Sequence, residues 1–304
     1  MRAQADLSVM VNANLRNGQN QLRSRLIGAS DLEGIVKLLN RGFGYRRTLR
    51  FWRRALTTLS RHSAPDGFPQ YGYLLENAGR PVGVLLLICS VPGTGVDPAA
   101  VRCNMSSWYV EPKFRNYATL LAAQAMRHKG ATYLNISPAS NTLAIVKAQN
   151  YTLYSRGVFF AALKPGRHKA ENRVVSGDVK PDAPHEAFEG ELLRRHAGYG
   201  CVAFWCETPA RAYPFVFRRR FVKGVLPCAQ LIYCRDTADL ASFSTLIGRR
   251  LLAHGCPLVV ADANGAIPGL VGKYVDGLMP KYYRGVEPPR LGDLAYTEAA
   301  LFGI

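Results

Sequence analysis

The sequence predicts an α/β protein built on a mixed sheet, and three observations carry this. The 304 residues are 48% apolar and 20% charged, a globular composition with room for about two domains of ~150 residues. The hydrophobic period switches repeatedly between 2 and 3.6, so strands alternate with helices. An order of three strands, a helix and a further strand occurs twice, before Leu163 and after Gly200, although the residue identities do not repeat.

The elements follow in order. Residues 1–22 are polar, and their composition predicts a flexible segment. Arg23 to Ile27 reads as a short strand. Ser30 suits the cap of a helix from Asp31 to about Phe43, with Leu32, Ile35, Val36, Leu39 and Phe43 on one face. An arginine-rich helix follows from about Arg47 to Arg61. Tyr71–Glu76 and Pro81–Ser90 read as strands joined by the hairpin signal Asn77-Ala78-Gly79-Arg80. Val101–Val110 is a further strand. Ala118–Lys129 is a helix stopped by Gly130. Thr132–Ile136, Thr142–Gln149 and Tyr151–Leu163 read as strand, short helix and strand.

Residues 164–189, with Pro165, Gly166, Gly177, Pro181 and Pro184, read as a linker. Residues 190–304 form the second block. Glu191–Arg195 is helical there, and Cys201–Glu207, Tyr213–Lys223 and Leu226–Arg235 are strands. Ala238–His254 is one helix, stopped by Gly255, and Pro257–Ala261 a strand. Asp262-Ala263-Asn264-Gly265 reads as turns, or as a polar loop facing an acceptor.

Composition excludes several classes. No apolar run reaches the ~18 residues of a membrane-spanning helix, and the N-terminus lacks the apolar stretch of a signal peptide. The seven cysteines are odd in number and lie mostly in apolar runs, which predicts buried free thiols and a cytoplasmic, reducing setting. With no C-x-x-C pair and six scattered histidines, no metal site is expected. No Gly-x-Ser-x-Gly elbow supports a hydrolase.

The net charge is +18, which favours anionic partners. Residues 1–60 hold eleven Lys or Arg against three Asp or Glu. Arg46, Arg47, Arg50, Arg53 and Arg54 are the densest patch, beside an apolar stripe of Tyr45, Leu49, Trp52, Leu56 and Leu59. The stripe predicts a core face and the arginines a solvated one. The same patch could dock an acidic carrier protein or an anionic membrane surface. No nucleic-acid module is present, so specific DNA or RNA binding is not expected. Oligomeric state is open.

Residues 23–163 resemble the GNAT superfamily of N-acyltransferases. The element order matches over that span, and two motifs support it. In Trp108-Tyr109-Val110-Glu111-Pro112-Lys113-Phe114-Arg115-Asn116-Tyr117-Ala118-Thr119-Leu120-Leu121, Val110, Pro112, Phe114, Arg115 and Ala118 fall where the family has its strand-to-helix phosphate loop. Asn141, Ala144 and Asn150-Tyr151 are similar to its Asn-x-x-Ala helix. Ala118 and Leu120 replace the loop's usual glycines, and Val146 and Ala148 stand near the position of its frequent general-acid tyrosine.

The resemblance implies an acyltransferase moving an acyl group from a CoA thioester to an amine or hydroxyl. Tyr109 and Val110 would serve the pantetheine, Arg115, Asn116, Tyr117, Ala118, Thr119 and Leu120 the pyrophosphate, and Asn141 the pantetheine amide. Acetyl-CoA or another acyl-CoA is the implied co-substrate. The catalytic group is unassigned, with Tyr154, Ser106 and Glu76 as candidates. The second block lacks a phosphate loop and reads as a degenerate unit of the same kind in tandem. An acyl-carrier-protein-dependent enzyme and a non-catalytic binding protein of this fold are the alternatives.

Overall fold

A computed structural model of the chain describes residues 22–45, 47–91, 93, 101–139, 143–162, 170–222 and 224–304. The chain divides into two compact units, Met1–Cys89 with Met105–Lys129 and Ser90–Asn104 with Gly130–Ile304. This division falls elsewhere than at the stretch 164–189.

In the first unit β1 (Leu22–Leu26), β2 (Gly72–Asn77) and β3 (Arg80–Ser90) form an antiparallel meander, and β4 (Arg102–Val110) follows β3 in the sheet. The β2–β3 hairpin turns on Ala78 and Gly79, both at positive φ (49° and 78°). Such a pair matches the right-handed twist of the strands it joins. Helix α1 (Leu32–Phe43) buries Ile35, Val36, Leu38 and Leu39. Its entry is fixed by Asp31, whose carboxylate accepts the Gly28 N–H at 2.8 Å. Ser30 makes no such cap.

Helix α2 (Leu49–Ser60) starts at Thr48, whose hydroxyl accepts the Phe51 N–H at 3.2 Å. It buries Trp52, Ala55, Leu56 and Leu59. Each buried Leu contributes about 1.5–3 kcal/mol. The expected stripe is therefore shifted: Tyr45 and Leu49 are exposed. Helix α3 (Ala118–Ala125) ends well before Gly130, with the Met126 N–H still bonded to the Ala122 carbonyl.

The second unit has the strand order β4-β5-β12-β6-β11-β10-β9-β8-β7. The strands are β5 (Thr132–Asn135), β6 (Thr152–Ala162), β7 (Arg173–Ser176), β8 (Val202–Glu207), β9 (Ala212–Val222), β10 (Leu226–Tyr233), β11 (Leu258–Ala263) and β12 (Gly272–Arg284). The pairs β4–β5 and β10–β11 are parallel, and the others are antiparallel. The helices are α4 (Leu143–Ala148), α5 (Ala187–Gly198), α6 (Thr237–Ser242), α7 (Ser244–Ala253) and α8 (Glu298–Leu301). Phe204, Phe215 and Phe217 pack with Leu240, Phe243, Ile247 and Leu251 in one core cluster.

Three features depart from the sequence reading. Strand β7 lies inside the stretch read as linker; four residues are too few to show a period. The helix expected over 238–254 breaks at Phe243 (φ −108°, ψ 14°), whose ring packs on Tyr213 and Phe215. Strand β12 has no counterpart in the sequence reading and runs for 13 residues. Gly277–Pro280 sit opposite Arg156 alone, because the register jumps from Asp276↔Gly157 to Lys281↔Ser155. That bulge breaks the alternation by which a strand is recognised. All seven cysteines are free and buried, as expected.

Candidate functional site

Strand β4 pairs with β5 over only three positions, Arg102↔Thr132, Cys103↔Tyr133 and Asn104↔Leu134, and then runs on for six residues. Ser107 in that extension has φ +51°, a left-handed conformation costing a non-glycine residue roughly 1–2 kcal/mol. Neighbouring strand side chains normally point to opposite faces. The kink instead brings Ser106 Oγ and Ser107 Oγ to 3.1 Å. Ser106 itself is buried. The Trp108 indole N–H is buried with no hydrogen-bond partner among the described residues.

Tyr109 lies against the end of α1. Its ring meets Phe43 edge-on at 5.9 Å, and a Cβ at Gly42 would come within 2.5 Å of it. Gly42 is therefore needed for this contact. Val110 is buried and touches the backbone face at Gly83.

After β4 the Glu111 N–H donates to the Val82 carbonyl at 2.9 Å. The Glu111 carboxylate accepts two bonds from Arg80 (2.9 and 2.8 Å) and one from Arg41 (3.0 Å). Burial pushes this carboxyl up, but the two guanidiniums outweigh it and hold it below the usual carboxylate range.

Pro112–Tyr117 then form a 3₁₀ helix that passes directly into α3. The Phe114 N–H bonds the Glu111 carbonyl at 2.8 Å, and the Ala118 N–H bonds that of Arg115. With no glycine from 112 to 120, the chain winds on instead of opening its N–H groups outward. What the turn offers is side chains: Lys113, Arg115, Asn116, Tyr117 and Thr119 are exposed, and Ala118 and Leu120 half-buried. An anion here would meet cationic side chains more than a backbone cradle.

The remaining predicted residues are placed as follows. Glu76 is buried on β2 and clamped by Arg23 Nε at 2.6 Å and Arg25 Nε at 2.7 Å. Burial raises its carboxyl, and the two arginines more than reverse that, so it stays ionised. That is an ion-pair residue rather than a proton donor. Tyr154 stands on β6, its hydroxyl buried and without a hydrogen-bond partner among the described residues. Burial, with Asp262 adding, pushes that hydroxyl well above its ordinary value. It is therefore neutral at any ordinary pH. Asn141 and Arg46 lie outside the described residues.

Asp262 and Asn264 are occupied within the protein. Asp262 is buried against Lys281 Nζ at 2.6 Å. The Asn264 side chain accepts the Arg156 N–H at 2.7 Å and donates to the Tyr154 carbonyl at 2.9 Å. The turn reading fits them better than an acceptor loop. Sequence reasoning missed the Ser107 kink, the Lys281–Asp262 pair and the buried Arg102–Asp293 pair. None of these has a local signal, since each depends on a long-range partner or on a bulge. A pocket of about 370 Å³ lies between Gly177–Pro181 and α5, with Trp205 among its lining residues; none of the predicted site residues lines it.

No protein-family model matches the chain, and no curated protein matches it significantly. Solved structures do. A candidate acetyltransferase from Pyrococcus horikoshii superposes with a TM-score of 0.59 at 12% identity, over 92% of this chain and 95% of that one. A GCN5-related N-acetyltransferase from Kribbella flavida gives 0.53 at 13% identity, over 87% and 71%. A protein of unknown function from Enterococcus faecalis V583, described as a candidate N-acyltransferase, gives 0.54 at 11% identity, over 91% and 74%.

Proposed function

We propose, from a chain with the α/β fold of the GCN5-related N-acetyltransferases, an acyltransferase that moves an acyl group from acyl-CoA to an amine or hydroxyl. The single observation that carries the reading is the β4 passage. Parallel pairing with β5 ends at Asn104, Ser107 kinks the strand, and an exposed cationic turn follows. The similar structures described as acetyltransferases or N-acyltransferases support it at the level of fold.

The thioester is already activated toward attack. The acceptor's nitrogen or oxygen bonds to the acyl carbon, the C–S bond breaks, and the sulfur leaves as a thiolate that takes up a proton. The protein's part is to hold, polarise and exclude water. Tyr109 and Val110 offer backbone N–H groups to the pantetheine and the carbonyl. The Trp108 N–H, without a partner among the described residues, is a buried donor that a polar ligand would satisfy. Arg115 supplies charge for the pyrophosphate, with Asn116, Tyr117, Ala118, Thr119 and Leu120 forming the surface beneath it. Ser106 is the candidate on this strand for passing a proton to the leaving sulfur.

A donor carried by an acidic protein is the second reading, and α2 favours it. Arg50 and Arg54 face solvent, while Arg53 is paired with Glu33 at 2.6 Å. Trp52 is buried and offers no wedge to a membrane; with Arg50 and Arg54 facing solvent, an acidic carrier is the partner favoured here.

The test is Arg115→Glu, read by calorimetry with CoA. A charged hydrogen bond is worth roughly 1.5–3 kcal/mol, so affinity should fall about 10- to 150-fold with the melting temperature unchanged. Binding equal to that of the parent would place the donor elsewhere. Release of free thiol from acetyl-CoA with amine acceptors separates an enzyme from a binding protein.

A further inference from the structure

The second unit contains another pair of parallel strands that part company. Strands β10 and β11 pair over Cys228↔Leu258, Ala229↔Val259 and Gln230↔Val260. Each then continues for three residues, to Tyr233 and Ala263, without pairing to the other. One edge of β10 remains on β9, through Tyr233↔Val216. The other edge, which β11 leaves after Gln230, is open to a new partner.

That edge is occupied by the chain itself. The Leu294 N–H donates to the Ile232 carbonyl at 2.7 Å, and the Cys234 N–H donates to the Gly292 carbonyl at 3.0 Å. Tyr233 and Asp293 form an antiparallel bridge between these two bonds. The Arg290 guanidinium donates to the carbonyls of Cys234 and Arg235. The segment is anchored from below as well. Asp293 is buried and accepts two bonds from Arg102, at 3.0 and 3.1 Å, and Leu294 is 2% exposed. A strand so bonded, with its charged residue paired in the interior, is not a loosely resting tail.

We infer that residues 290–294 close this second divergence from within, so that the chain takes one thioester donor, at β4, and none at β10. This rests on the reading of β4 as the donor strand. The backbone groups of β10 that would face a pantetheine chain are bonded to Gly292 and Leu294. Donor binding there would have to break two ladder bonds, the Arg290 contacts and the seat of a buried carboxylate. The missing phosphate turn is a separate observation in the same direction: only Arg235 and Asp236 lie between Cys234 and the start of α6.

Calorimetric titration of the full chain with CoA, with hydrogen exchange on the same samples, tests this. The expected result is one CoA per chain, weakened at least tenfold in Arg115→Glu. The amides of Leu294 and Cys234 should be strongly protected, and equally so with and without CoA. Two CoA per chain, or one that Arg115→Glu leaves unaffected while the Leu294 and Cys234 amides lose protection on binding, would overturn the inference. No CoA binding, with those amides still protected, would overturn instead the donor reading on which it rests, and with it the single site.

Discussion

Glu76 shows how a residue's chemistry is set by what surrounds it. As a lone carboxylate on a strand it is a candidate acid or base. Between Arg23 and Arg25 it is a fixed anion, and its folded carboxyl sits below the usual range because the two guanidiniums outweigh burial. The sign of the linkage follows. A carboxyl depressed in the folded state stabilises the protein at pH values above its unfolded value and ceases to as pH falls through the folded one. Glu76→Gln should therefore cost about 1–2 kcal/mol at neutral pH, discounted because Arg23 is largely exposed. The difference from the parent should shrink below about pH 4. Urea unfolding at pH 7 and pH 3 checks this, and an equal loss at both would mean the pair is not ionic. The two arginines were visible in the sequence, but their pairing with Glu76 was not, because it depends on the β1–β2 register.

At the scale of elements, legibility followed the strength of the local pattern. Strands with long apolar runs, such as β3, and helices with a 3.6 period, such as α1, were readable because each buries one continuous face. β12 was not, since only Tyr282 and Lys281 of its 13 residues are buried and a bulge interrupts it. For the candidate site, the sequence located the β4 passage and Arg115. It could not show that the passage winds into a 3₁₀ turn, because the absence of glycine permits winding without requiring it.

Helix α2 carries its own prediction. Its apolar face is buried, so its arginines contribute little to stability where they are exposed. Arg50→Gln combined with Arg54→Gln should leave the melting temperature within about 1–2 °C of the parent, by the small cost of surface changes. It should weaken salt-sensitive association with an acidic carrier protein, measured by calorimetry at low ionic strength. Association unchanged by the double substitution would make this face an ordinary solvated surface.

For the whole chain, the order of the strands in the sheet departs from their order in the sequence. Both halves present a meander, then a parallel pair and a final strand: β1-β2-β3 with β4–β5 and β6, and β7-β8-β9 with β10–β11 and β12. The final strands are exchanged. β12 pairs with β5, and β6 pairs with β11, while β6 and β12 pair with each other. Two blocks consecutive in sequence are thus interleaved in the sheet of the second unit, and neither block supplies all the strands it needs. A fragment covering residues 1–169 would lack both β11 and β12, leaving β6 unpaired on both edges and β5 paired only with β4. Exposed edges of buried strands are templates for aggregation, and the fragment also forfeits the cover over Phe159 and Ala161, which belong to the core cluster. It should therefore be insoluble or bind a hydrophobic dye. Co-expression with a fragment of residues 170–304, which keeps β7 and α5 whole, should restore a soluble complex, because the missing strands are then supplied in trans. Circular dichroism and size exclusion of the two preparations decide the matter. A soluble, cooperatively folded fragment 1–169 would show that β6 and β12 are exchanged without being needed, and that the first block folds by itself.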